Sequence, residues 1–158
     1  MLRPRRLKLH SSPQRRLRKR GRQSKAQLAR QRTGIEAVLK SYEQALNASD
    51  VEGVAQLFTD DAVVLAPNAP SAVGIRAVRA AYTGIFQAID LDLTFEVAEV
   101  NVVSPDWAFL RSTSSGSITI LANGAQVPSS NQELFVPHKT QGRRKLARYS
   151  FSSVLPSA

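Results

Sequence analysis

The stretch LFTDDAVVLAP, residues 57–67, sets two carboxylates side by side, Asp60 and Asp61. Neighbouring acids are the raw material of general acid/base catalysis, because repulsion and burial drive their proton affinities apart. The same pattern also suits a plainer role, the polar end of a helix before a buried strand that stops at Pro67. Adjacent residues on an extended segment point to opposite faces, which favours helix-end and surface roles for the pair. Other residues able to do chemistry are scattered. Tyr42 and Tyr82 are phenols on apolar helix faces, where each hydroxyl needs a partner if buried, and each could supply the other. They serve either as packing or as a ligand-facing donor pair. Glu133 and Arg148 fall on late strands, where they either pair across a hairpin or form a polar anchor for a carboxylate or hydroxyl. Asn131 and Gln132 straddle the two faces of one strand, so one of them points inward. Trp107 follows the turn SPD and is expected to seal core or a dimer contact. His138 is expected to be solvated near a hairpin tip.

Composition removes whole classes of mechanism. The chain has no cysteine and only two histidines, His10 and His138. Disulfides, thiolate metal sites, a cysteine nucleophile and a histidine-rich metal centre are therefore excluded. No Gly-rich dinucleotide fingerprint follows a strand, and neither a metal nor an organic cofactor is expected. No run approaches the roughly 18 apolar residues of a membrane-spanning helix, and none resembles a secretory h-region, so a cytoplasmic location is expected.

The elements that must position these residues begin after a basic tail. Residues 1–33 hold 13 of the 22 Lys and Arg and none of the 12 Asp and Glu, leaving a body with 9 basic and 12 acidic residues. Like-charge repulsion and few large apolar residues predict a disordered tail. It has three open readings: no role in the mature fold, a targeting segment for organelle or nucleus, or non-specific contact with a polyanion. From residue 34 to 155 one domain is expected. Ile35, Val38, Leu39, Tyr42, Ala45 and Leu46 repeat at helical spacing, with Thr33 and Glu36 as a capping box. Ser49 and Glu52 repeat that box before a short second helix containing Phe58. AVVLAP reads as a buried strand. Gly74 leads a third helix bearing Val78, Tyr82, Ile85 and Phe86. From Leu91 the period changes to two, and a phase slip near Ala98-Glu99 predicts a β-bulge. Asn123-Gly124 marks a hairpin. Pro128 and Pro137 fit only edges or bulges, and KTQG turns into the last strand. The class is α+β, three helices packed on a curved antiparallel sheet.

That order, together with YEQALNASDVEGVAQLFTDDAVVLAP, GIRAVRAAY, PDWAFLRS and GRRKLARYSF, resembles the NTF2-like superfamily of cone-shaped domains. Within it the chain is most similar to SnoaL-like and ketosteroid-isomerase-like proteins, including the SgcJ/EcaC type. The resemblance implies a pocket between the helices and the concave sheet face, lined by Tyr42, Phe58, Ala66, Tyr82, Phe86, Gln132 and Glu133. In the steroid isomerases a first-helix tyrosine polarises a carbonyl, a third-helix tyrosine assists, and an aspartate before a proline moves the proton. The matching positions here are Tyr42, Tyr82 and Ala66, so the proton-moving acid is absent and no catalytic residue is assigned. The helper carboxylic acid of those enzymes falls near Gln132. The resemblance thus leads us to expect a domain that binds a small hydrophobic ligand and forms a homodimer through its sheet. The alternative is an isomerase- or cyclase-type enzyme on a hydrophobic carbonyl compound, with Tyr42 and Tyr82 as oxyanion donors and Glu133 or the substrate as base. A third reading is a module whose basic tail carries the activity.

Overall fold

In the computed structural model, which describes residues 23–155, α1 spans Lys25–Asn47 and buries the expected stripe of Ile35, Leu39, Tyr42, Ala45 and Leu46. It starts earlier than the Thr33 cap predicted. Ser24 is the N-cap: its hydroxyl accepts from the Gln27 N–H while the Gln27 side chain accepts from the Ser24 N–H. Residues 25–33 are thus the first turns of the helix rather than a disordered tail. A reciprocal cap and the good helix formers Ala26, Gln27, Leu28 and Ala29 outweigh three positive charges there. Residues 1–22, with the targeting and polyanion readings that concern them, lie outside the described residues.

Helix α2 (Val51–Ala55) is capped by Asp50, whose carboxylate accepts from the Gly53 N–H at 2.9 Å. The expected Ser49–Glu52 box does not form, because Ser49 sits in the left-handed region at φ 53° and only the next residue meets the helix. Strand β1 (Phe58–Leu65) therefore takes Phe58, Asp60 and Asp61, which were expected at a helix end. A two-residue strand, β2 (Ala72–Val73), was not foreseen. Then come α3 (Ile75–Ala88), led by Gly74 as expected, and the long strands β3 (Ile89–Val102), β4 (Ala108–Ile120), β5 (Gln126–Thr140) and β6 (Arg143–Ser153).

The six strands form one sheet in the order β2-β1-β6-β5-β4-β3, antiparallel except where β1 meets β6. The phase slip in β3 is real: pairing with β4 shifts between Val97 and Glu99. Pro137 sits at a second shift, in β5 against β6. Pro128 lies on the part of β5 beyond the β6 pairing, where its missing N–H breaks no ladder bond. Strand β3 is an open edge, and α1 closes it. The Asn47 amide donates to the Leu93 carbonyl at 2.8 Å and accepts from the Leu93 N–H at 2.9 Å, while Glu43 accepts from the Phe95 N–H at 2.9 Å. Burial works to raise the Glu43 carboxyl, but hydrogen bonds from Lys40 and Phe95 hold it below its ordinary range. These contacts cover unpaired strand groups that would otherwise invite another chain, and they fix Tyr42 over the sheet.

The core lies between the helices and the concave face, around Tyr42, Phe58, Val54, Val78, Leu110 and Phe135. The outer face carries Thr113, Gln132, Arg148 and Ser150 together with the exposed Leu65 and Leu134. Trp107 stacks on His138 at 3.8 Å, so His138 is half-buried under an indole rather than solvated. Arg143, Arg144 and Lys145 line an open groove beside the start of α1. Among the described residues no helix is long and apolar enough to cross a membrane.

Candidate functional site

Between α1, α3 and the concave sheet face lies a cavity of about 580 Å³. Three of its walls are apolar. Helix α3 contributes Ala81, Ile85 and Ala88, strand β3 contributes Leu91, Leu93 and Phe95, and the mouth is framed by Ala66, Pro67, Ala69 and Pro70. The fourth wall is polar, and alternation along the strands explains why. Ser129, Asn131 and Glu133 lie two apart on β5 and share the face that buries Phe135. Opposite them on β4, Ser112 pairs with Glu133 and Ser114 with Asn131.

Tyr42 stands at the inner end. Five rings surround it edge-on, those of Phe58, Tyr82, Phe95, Phe135 and Tyr149, with centroids 5.5–6.3 Å away. Its hydroxyl shares a 2.6 Å hydrogen bond with that of Tyr82, the partner each phenol was expected to need. Tyr149, on β6, stacks on Phe135 at 4.1 Å and brings a third phenol to the same end. Burial pushes Tyr42, Tyr82 and Tyr149 well above the ordinary tyrosine range. All three therefore stay protonated at neutral pH and act as donors.

Glu133 is the carboxyl of this cavity. Ser112 Oγ donates to its Oε2 at 2.8 Å. Burial raises its pKa, and the nearby Ser114 and Ser112 hydroxyls pull back only part of the rise. A carboxyl that binds its proton more tightly in the fold contributes fully to stability below its ordinary value of 4.5, and that contribution is lost as pH climbs through the raised folded value. Glu133→Gln is therefore expected to match the parent's melting temperature near pH 4 and exceed it progressively toward pH 7. Melting curves across that range check it.

Of the residues expected to line a pocket, Tyr42, Ala66, Tyr82 and Glu133 do so. Phe58 and Phe86 do not: both are buried in the core behind the tyrosines. Gln132 faces the other way and donates to Ser152 Oγ at 3.1 Å on the outer surface. The inward member of the Asn131–Gln132 pair is Asn131. Glu133 and Arg148 do not meet, since Glu133 lies opposite Phe151 and Arg148 opposite Val136. Arg148 instead donates to the carbonyls of Asp61 and Ala147. Asp60 and Asp61 are both exposed and away from the cavity, because an irregularity between Phe58 and Val63 turns both outward. The Thr59 hydroxyl, donating at 2.8 Å, holds Asp61 below the ordinary carboxylate range. Sequence reasoning missed Tyr149, Ser112, Ser114 and Phe151, although the alternation of β6 places Ala147, Tyr149 and Phe151 on one face. Among the described residues no group of three His, Asp or Glu is placed to hold a metal ion.

Comparison with known proteins gives three findings. The SnoaL-like domain family matches residues 38–144. No curated protein matches the chain. Among solved structures, a ketosteroid isomerase-like protein from Erwinia carotovora atroseptica is 37% identical, with a TM-score of 0.76, covering 78% of this chain and 96% of that one. A putative scytalone dehydratase from Novosphingobium aromaticivorans is 21% identical, with a TM-score of 0.73, over 84% of this chain and 89% of that one. A type 2 hexachlorocyclohexane dehydrochlorinase shares 10% identity and a TM-score of 0.74, over 84% and 90% of the two chains. The last two likenesses are of fold.

Proposed function

This chain belongs to the SnoaL-like domain family, and on that premise we propose that its cavity binds a small, largely apolar molecule by one oxygen-bearing end. The observation that carries this reading is the distribution of polarity: mostly apolar surfaces of α3, β3 and the Ala66–Pro70 loop enclose a few polar groups, Tyr42, Tyr82, Tyr149 and Glu133, drawn from four elements. Small-molecule sites have this composition, with much apolar surface and a few convergent polar groups that fix orientation. The volume suits a fused-ring compound. Proteins of the same fold named for scytalone and hexachlorocyclohexane lend support from another direction.

The test is heat stabilisation. A panel of fused-ring alcohols and ketones at about a hundred times their dissociation constants is expected to stabilise the protein by about 2.7 kcal/mol. A flat response across the panel removes the proposal.

A second reading has an observation of its own. Glu133 is a buried carboxyl with a raised proton affinity in the same cavity as protonated phenols, which is what proton transfer beside a carbonyl requires. In that reading the enzyme acts on a hydrophobic carbonyl compound, Tyr42 and Tyr82 hold the developing oxyanion, and Glu133 stands in for the acid that Ala66 lacks. Turnover that survives Glu133→Gln excludes it. The same family premise extends to pairing of two copies through the outer sheet face. Light scattering at twice 17.3 kDa supports a dimer, and the mass of one chain rules it out.

A further inference from the structure

Glu133 is satisfied on one oxygen only. It is 3% exposed, Ser112 donates to Oε2, and the equally buried Oε1 meets no donor. A buried acceptor left in this state is costly, and native folds avoid it unless something else fills the gap. The Ser114 hydroxyl pulls on the same carboxyl without reaching hydrogen-bond geometry to Oε1, and the neighbouring amide is already committed. Asn131 Nδ2 donates to Ser129 at 3.0 Å and to Ser114 at 3.3 Å. No lysine or arginine is among the described residues lining the cavity.

The phenols present the opposite deficit. Tyr42, Tyr82 and Tyr149 each bring one hydroxyl proton to this end, and the Tyr42–Tyr82 bond with the approach of Tyr149 to Tyr42 consumes at most two of the three. Glu133 lies two residues along β5 from Phe135, whose ring packs against both Tyr42 and Tyr149, and carboxyl and phenols line the same cavity. This end therefore offers an incoming group one acceptor and at least one donor.

A ketone or ether oxygen answers the phenol and leaves Glu133 Oε1 alone. A carboxylate meets Glu133 as a like charge. An ammonium group satisfies Glu133 and offers the phenol nothing. A hydroxyl, which donates once and accepts as well, answers both. We propose that the ligand carries an alcohol or phenol hydroxyl on an apolar frame, donating to Glu133 Oε1 and accepting from the Tyr42–Tyr82 pair. This rests on the reading of the cavity as the binding site and goes beyond it by naming the group recognised and the residue that selects it.

Calorimetric titration of the full chain with three probes of one skeleton tests the inference: 9-phenanthrol, 9-methoxyphenanthrene, which accepts but does not donate, and phenanthrene. The expected result is about tenfold or more tighter binding of the phenanthrol than of the methoxy compound. In Glu133→Leu that preference is expected to collapse to near unity. Glu133→Gln keeps the shape, and in it the preference is expected to fall in the same direction, so the result does not depend on the leucine variant folding. Equal binding of phenanthrol and methoxyphenanthrene, or a preference that survives both variants, overturns the hydroxyl assignment while leaving the cavity a binding site. Binding of none of the three overturns the cavity reading and the assignment together.

Discussion

Tyr42→Ala is expected to destabilise the protein by about 3–5 kcal/mol and abolish ligand binding. The size of the effect comes from position. Tyr42 lies at the junction of α1 with the sheet, is 2% exposed, and is ringed edge-on by five aromatic side chains drawn from β1, α3, β3, β5 and β6. Truncation leaves a void among rings that cannot all close in on it. Tyr42→Phe separates the hydroxyl from the ring. It keeps the packing but strips Tyr82 of its 2.6 Å partner, at a cost of about 1–3 kcal/mol for a buried group left unpaired. Chemical denaturation of the two variants gives the stability order parent, Phe, Ala. Titration with a ligand found in the panel is expected to show weakened binding already in the phenylalanine variant, because the Tyr82 hydroxyl has lost the partner that orients it. Full affinity in Tyr42→Phe counts against the phenols as the recognising group.

Gly116→Ala is expected to be nearly as damaging, about 3 kcal/mol or more, at a position that does not itself line the cavity. Gly116 lies on β4 opposite Leu93, with φ at 154°. A Cβ built there runs into the Asp92 carbonyl oxygen and close to the Leu93 backbone. The obstruction is main chain, so no rotamer relieves it. Strand β3 would have to move off β4, carrying Leu91, Leu93 and Phe95 out of the cavity wall. Gly34 is the control, since a Cβ there meets nothing within 4 Å on α1. Gly34→Ala is expected to stabilise by about 0.5–1 kcal/mol through helix propensity alone. Thermal melts of the two variants on one instrument decide the comparison, and similar melting temperatures would mean that the β3–β4 approach is not tight.

Patterns of period carried most of the fold. The stripe on α1, the glycine that leads α3 and the phase slip at Ala98 each have one physical cause, which local sequence displays in full. Caps were read less well. Thr33 with Glu36 and Ser49 with Glu52 have the right spacing, yet Ser24 and Asp50 hold the helices, because several positions satisfy the same motif and only the tertiary path selects one. The strand β2 was invisible, as two residues generate no period. At the site, the two tyrosines were legible from their helix faces. Glu133 and Gln132 were not separable by type, and only the buried Phe135, two residues on, settles the parity. Tyr149 escaped because its role depends on β6 lying beside both β1 and β5, a contact between segments far apart in the chain.

The central claim is that the phenols and Glu133 around the cavity receive the polar end of an apolar ligand. A crystal structure of the full chain grown with 9-phenanthrol tests it most directly. The account predicts density inside the cavity, its oxygen within hydrogen-bond distance of both Glu133 Oε1 and a Tyr42 or Tyr82 hydroxyl. Density on the outer sheet face with the cavity empty, or a ligand reached by Asp60 or Asp61, contradicts it.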